Sequence, residues 1–292
     1  MGKVYEALRK AEVEGRPARW SSVAAEKTAE SASGRAAERN GDFLDYSLNA
    51  LSAVEIEERN REVVARNATR KSIVNPSREV TVDPSRLALS LTAFQNSIND
   101  ATEEYNRLAV TLITASGEKP IKRILIASAQ HGEGRTSITL NLACALARSQ
   151  RKVLVIDTDL HHPSLIRFMG LSVDVGLSDA LRKGLPAGLA VVRIQPFGFD
   201  ILPTREQVKN PAELLSSASF GEMLTLFEPD YDFILFDSPP LLGVADSSLL
   251  VRHTDAAVLV IRSGKTTSGQ IGRAVAPLTQ EKILGVVLNR AA

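Results

Sequence analysis

The stretch Ile124-Leu-Ile-Ala-Ser-Ala-Gln-His-Gly132-Glu133-Gly134-Arg135-Thr136-Ser137 holds the residues whose types and spacing point most directly to chemistry. An apolar strand runs into a glycine-bearing turn and then a helix, the arrangement of a phosphate-binding loop. Gly132 and Gly134 open backbone angles closed to other residues, so the chain can wrap a phosphate with its N–H groups turned inward. The helix expected from Thr136 to about Arg148 adds unpaired N–H groups and a partial positive charge at its start. Thr136 stands where a hydroxyl reaches Mg²⁺. The full loop consensus is Gly-x-x-x-x-Gly-Lys-[Ser/Thr], and the aligned positions here are Ala129, Gly134, Arg135 and Thr136. The anchor glycine is absent and the lysine is an arginine. A planar guanidinium does not reproduce a lysine ammonium, and phosphoryl transfer depends on positioning and electrostatics. Binding is therefore expected to tolerate this change better than turnover.

Two further segments supply carboxylates. Val153-Leu-Val-Ile-Asp157-Thr-Asp159 and Tyr231-Asp-Phe-Ile-Leu-Phe-Asp237-Ser-Pro-Pro240 are apolar strands ending in aspartates. In a parallel sheet the carboxyl ends of the strands meet at one crevice, so Thr136, Asp157, Asp159 and Asp237 are expected to converge. Oxygens of that kind, completed by water and phosphate, suit Mg²⁺. His131, His161 and His162, three of the four histidines, fall near the same crevice. A transition-metal cluster there is weighed against the plainer reading that they fill ordinary turn positions.

In these residues the chain resembles the bacterial tyrosine kinases of polysaccharide export, which are themselves similar to the MinD/ParA ATPases. The resemblance is carried by Gly132-Glu133-Gly134-Arg135-Thr136, by Asp157-Thr158-Asp159-Leu160-His161-His162-Pro163 and by Asp237-Ser238-Pro239-Pro240. It extends to Gly176-Leu177-Ser178-Asp179, Asn210-Pro211-Ala212-Glu213-Leu214-Leu215, Asp246 and Gly285-Val286-Val287-Leu288-Asn289, and covers about Thr92 to the C-terminus. It implies ATP and Mg²⁺ as cofactors. Gly132, Glu133, Gly134, Arg135, Thr136, Ser137 and Asn289 would line the nucleotide, and Thr136, Asp157 and Asp237 the metal. Asp157, Asp159 and Arg135 would act in catalysis, one aspartate helping the metal and the other taking the acceptor hydroxyl's proton. It further implies a role in exopolysaccharide biosynthesis and a membrane polysaccharide co-polymerase or chain-length regulator as partner.

The departures from the family pattern all run one way. Arg135 replaces the lysine, and His161 and His162 replace two arginines, so permanent charge is lost near neutral pH. The assembly pattern Glu-x-x-Arg-x-x-Arg reads Glu103-x-x-Asn106-x-x-Ala109, with Arg107 one position, about 100°, round the helix. No tyrosine follows Tyr231, and the signature lysine of the MinD/ParA group is Gln130. Two readings stay open, a protein-tyrosine kinase in which Arg135 serves, and a pseudokinase that works by interaction. A MinD/ParA-like positioning ATPase is a third, opposed by Gln130.

The surrounding elements must form a frame for these groups. Strands are expected near 121–127, 153–157, 199–202, 232–237, 256–262 and 283–289, alternating with helices, which predicts a doubly wound, mostly parallel α/β sheet. Ala93 to Ile113 reads as a helix with Phe94, Ile98, Tyr105, Leu108 and Leu112 on one broad face. Residues 91–292 are assigned to the P-loop domain and 1–90 to an N-terminal extension. That extension begins with a short helix bearing Val4, Leu8 and Ala11, continues as an Ala/Ser/Glu/Arg-rich linker from about Glu14 to Asn40, and shows a helical pattern around Leu51 to Val64.

Bulk properties narrow the field. The 292 residues leave room for one large α/β domain with an extension. A net charge of +1 gives no electrostatic footprint for nucleic acid. Cys144 is the single cysteine, read as a packed residue and in keeping with a reducing cytoplasm. No apolar run reaches membrane-spanning length and the first residues lack a signal-peptide core. A cytoplasmic protein is expected, reaching the inner face of the membrane through its partner, with homo-oligomerisation left open.

Overall fold

The computed structural model describes residues 21–22, 76, 78–94, 100–116, 120–244, 246–279 and 282–290. The expected N-terminal helix, the 51–64 pattern and Ile98 lie outside these residues, as does the expected linker apart from Ser21–Ser22, which form a short strand rather than linker.

Among the described residues nine strands form one sheet: β1 (Ser21–Ser22), β2 (Arg78–Thr81), β3 (Arg123–Ser128), β4 (Val153–Asp157), β5 (Val192–Gln195), β6 (Phe199–Leu202), β7 (Phe233–Asp237), β8 (Ala256–Arg262) and β9 (Ile283–Asn289). Their spatial order is β1-β9-β8-β3-β7-β4-β6-β5-β2. The pairings β1–β9 and β5–β6 are antiparallel and all others parallel. The eight α-helices among the described residues are α1 (Asp100–Ala115), α2 (Arg135–Arg148), α3 (Leu165–Met169), α4 (Leu177–Lys183), α5 (Pro211–Leu215), α6 (Ala218–Phe227), α7 (Asp246–Val251) and α8 (Ser268–Val275).

The central strands are continuous apolar runs because both faces of the sheet are covered. Successive side chains point to opposite faces. Ile124 and Ile126 of β3 pack with Leu108 and Leu112 of α1 and with Leu142 and Leu146 of α2. Leu125 and Ala127 lie in the opposite core with Leu215 of α5, Phe220 and Phe227 of α6 and Ile271 of α8. Burying a large side chain of this kind stabilises the fold by about 1.5–3 kcal/mol. Cys144 is buried, its Sγ 3.3 Å from Ala93 O.

The doubly wound, mostly parallel fold expected from the sequence is the fold observed. Three strands were not anticipated. β2 is short, carries Arg78 and Glu79 and is largely exposed, as an edge strand that resists further pairing should be. β5 is four residues long and joins β6 through the turn at Pro196 and Gly198, which makes that junction antiparallel. β1 is two residues. Of the helix expected from Ala93, Asp100–Ala115 is helical among the described residues, and Thr92–Phe94 form a 3₁₀ turn. No helix among the described residues is long and apolar enough to cross a membrane.

Candidate functional site

The register of the sheet assembles the site. Asp157 at the end of β4 pairs directly with Asp237 at the end of β7, and β3 lies on the other side of β7. The loop from Ala129 to Gly134 leaves β3 and turns into α2. Gly132 (φ 78°) and Gly134 (φ 99°) occupy the left-handed region, which favours glycine. Gly134 is the N-cap of α2 and no side chain caps the helix, so its first N–H groups face the crevice, a setting suited to an anion.

The two strand-end carboxylates are almost wholly enclosed. Asp157 Oδ2 accepts from Ser164 N at 3.0 Å and Leu165 N at 3.1 Å. Asp237 Oδ2 accepts from the Thr136 hydroxyl at 2.7 Å, and Ser164 Oγ lies 2.9 Å from Thr136 Oγ1. The remaining oxygens, Asp157 Oδ1 and Asp237 Oδ1, are buried with no hydrogen-bond partner. The Thr139 hydroxyl, close enough to favour ionised Asp237, donates to Arg135 O. Burial pushes the Asp157 pKa well above the usual carboxylate range, and repulsion from Asp237 adds to it. Burial likewise raises Asp237 to about 6, opposed by Arg135 and the Thr136 hydroxyl. Two orphaned carboxylate oxygens on paired strand ends, one of them on the carboxylate that accepts from Thr136, fit a hard divalent cation, which would meet both unmet acceptors.

Arg135 turns its guanidinium back under the loop. Nη1 donates to Ser128 Oγ and, at 3.1 Å, to Gln130 O, while Nη2 donates to Asp159 Oδ2 at 3.2 Å. Asp159 Oδ1 accepts from His162 N at 3.1 Å. The two aspartates that follow the same strand thus face different partners, Asp157 the oxygen cluster and Asp159 the arginine.

Glu133 anchors the loop on its other side. Its buried carboxylate accepts from Gln130 N at 2.9 Å and from the Thr266 hydroxyl, and its carbonyl accepts from Asn289 Nδ2 at 2.8 Å. Asn289, at the end of β9, therefore touches the loop. Ser137 faces away from the carboxylates, its hydroxyl 2.9 Å from Ser90 Oγ.

At the rim the His131 and His162 rings meet edge to face with centroids 4.7 Å apart. Burial, and then Arg135, lowers the His131 pKa. His161 turns instead to Asp246, with Nε2 2.6 Å from Oδ2. Sequence reading did not single out Ser128, Ser164 or Thr266. Each is an isolated hydroxyl with no periodic or spacing signal, and only the closed fold reveals its partner. Arg107 lies exposed on α1 and bonds Glu104 at 2.9 Å.

Comparison with known proteins follows the same lines. A family model described as an AAA domain matches residues 121–272. The tyrosine-protein kinase YwqD of Bacillus subtilis is 35% identical over 207 residues, covering 70% of this chain and 87% of YwqD. The tyrosine-protein kinase Wzc of Salmonella typhi is 29% identical over 202 residues, but those cover 68% of this chain and only 28% of that longer relative. Among solved structures, the kinase domain of the Escherichia coli tyrosine kinase ETK superposes with a TM-score of 0.66 at 25% identity, covering 75% of this chain and 90% of that one. A P-loop fold with this crevice, matched over most of its length by such relatives, places the chain in the bacterial tyrosine-kinase family.

Proposed function

We propose that the chain binds Mg-ATP in the crevice at the carboxyl ends of β3, β4 and β7 and serves capsule or exopolysaccharide assembly from the cytoplasmic side of the membrane. The observation that carries this reading is the pair of orphaned oxygens, Asp157 Oδ1 and Asp237 Oδ1, set beside Thr136 at the start of an uncapped helix. Thr136, Asp157 and Asp237 would hold Mg²⁺. The N–H groups from Gly132 to Ser137, with Arg135, would hold the phosphates, and Asn289 and Glu133 would fix the loop. Bound Mg-ATP supplies a phosphoryl group activated by the cation's charge. Asp159 would accept the proton of an acceptor hydroxyl, because Asp157 is committed to the oxygen cluster. A membrane polysaccharide co-polymerase or chain-length regulator is the partner that this role calls for.

A second reading, that of a nucleotide-binding regulator without kinase activity, is favoured by one contact. Asp159 is engaged by Arg135, and the guanidinium is divided among Ser128, Gln130 and Asp159. Until that contact opens, the carboxylate accepts no further proton readily and the cation is not directed at a phosphate.

Calorimetric titration with ATP, with and without Mg²⁺, tests the binding, and a phosphotyrosine blot of the same sample tests the chemistry. Mg²⁺-dependent binding with phosphotyrosine, alone or with the membrane partner, is the result expected of a kinase. Binding with no phosphotyrosine in either setting selects the regulator. Absence of binding overturns both.

A further inference from the structure

His131 belongs to the phosphate loop and His162 to the turn after β4, and neither has a part in holding Mg-ATP. They nevertheless converge on Asp159. One ligand atom from each ring and one carboxylate oxygen of Asp159 all lie within 4.8 Å of one another. Both rings are exposed and Asp159 is buried beside them. The carboxylate is held in place by His162 N and Arg135 Nη2, whereas the exposed rings are free to change rotamer.

We propose that His131, Asp159 and His162 bind one divalent transition-metal ion of the zinc class. Two imidazoles and a carboxylate are the mixed nitrogen and oxygen donors that such ions take, whereas Mg²⁺ takes oxygen ligands. Ligand atoms about 2.1 Å from one ion sit roughly 3.4 Å apart in a tetrahedron. Drawing the observed set together to that spacing requires turns of two surface rings and no movement of the sheet. Three protein ligands leave a further position open to water or another ligand, as in zinc sites that do more than brace a fold.

The neighbouring histidines define the set by contrast. His161 is engaged by Asp246, and His253 packs against Phe220 with ring centroids 5.3 Å apart. The proposed site also differs in donor type from the Asp157, Asp237 and Thr136 oxygens deeper in the crevice. It does not rest on nucleotide binding, since all three ligands come from the chain.

The test uses the full-length chain free of any affinity tag, without nucleotide. Zn²⁺ binding is measured by calorimetry, and Co²⁺ binding by its visible absorption bands. One ion per chain is expected. His131→Ala and His162→Ala should each weaken Zn²⁺ binding by more than roughly 100-fold, beyond the loss usual for an outer-sphere partner of a metal ligand, and should remove the Co²⁺ bands. His161→Ala and His253→Ala should bind as the parent does. The two ligand rings are exposed, so circular dichroism and thermal unfolding of those variants should match the parent. The proposal is overturned if the parent binds no stoichiometric ion. It is equally overturned if the His131→Ala/His162→Ala double variant binds as tightly as the parent, or if loss follows His161→Ala and not His162→Ala.

Discussion

Arg135 and Asp159 form an ion pair, Nη2 to Oδ2 at 3.2 Å, with only 7% and 6% of their side chains exposed. The residue in the lysine position of the loop is thus tied to the carboxylate proposed to take an acceptor's proton. Attraction between buried charges offsets their desolvation only when the geometry is good and other bonds are met. Ser128, Gln130 O and His162 N supply bonds to Nη1 and to Asp159 Oδ1, whereas Arg135 Nε is buried without a partner.

Removing the arginine should therefore be felt twice. Arg135→Ala leaves Asp159 buried without its cation and should lower stability on the order of 3 kcal/mol in denaturant titration. It should also weaken ATP binding by roughly tenfold or more, the loss of one charge-assisted bond. Arg135→Lys keeps the charge but not the fork, and should cost about 1 kcal/mol. Unchanged ATP affinity in Arg135→Ala would refute the part assigned to this side chain.

The carboxylate pair predicts a pH dependence of stability. Burial raises the Asp237 pKa from the ordinary carboxylate range to about 6, and pushes Asp157 well above that range as well. The folded protein then holds more protons than the unfolded chain between these values, so stability falls as pH rises from about 4 through 6 and beyond. Asp237→Asn is neutral at all pH and its amide oxygen can still accept from Thr136. It should unfold at a higher temperature than the parent at pH 7, by an amount on the order of 2 kcal/mol, with the gain gone near pH 4. Mg²⁺ should stabilise the parent at pH 7 and the variant much less. A variant no more stable than the parent at pH 7 would mean that the pair is not strained in the folded state.

The two glycines of the loop should respond differently to alanine. At both, the left-handed backbone costs a side chain roughly 1–2 kcal/mol. At Gly132 a Cβ meets nothing within 4 Å, so that is the whole cost. At Gly134 it overlaps the Asn289 amide, which is itself bonded to Glu133 O. Gly134→Ala should accordingly lower the melting temperature more than Gly132→Ala and displace Asn289 from the loop. Equal destabilisation of the two would argue against the Asn289 contact.

How much of this was legible beforehand differs from element to element. Strands β3, β4 and β7 announce themselves as buried aliphatic runs, and a parallel sheet brings their carboxyl ends together, so Thr136, Asp157 and Asp237 meet as expected. The split between Asp157 and Asp159 was not legible. They lie two residues apart after one strand, and only the closing of the loop aims Arg135 at the second. Nor does a sequence pattern mark Ser164 or Thr266, because a single hydroxyl gains its partner through tertiary contact. β2 escaped notice because an exposed edge strand carries little of the apolar signal by which strands are read.

Tyr231 stands at the entry to β7, and its environment makes it a poor phosphate acceptor. It is buried, its hydroxyl donates to Asp200 Oδ2 at 2.8 Å, and burial with the nearby carboxylate raises its pKa far above the usual phenol range. Asp200 is also held by Arg193 through contacts of 2.7 and 2.9 Å, so it keeps strong partners when the phenol is removed. Tyr231→Phe should then cost about 1 kcal/mol of stability, the net worth of one hydrogen bond. After incubation with Mg-ATP, peptide mapping by mass spectrometry should find Tyr231 unmodified. A phosphate on Tyr231 would require this part of the core to open, and would place the acceptor where the folded structure gives it no access.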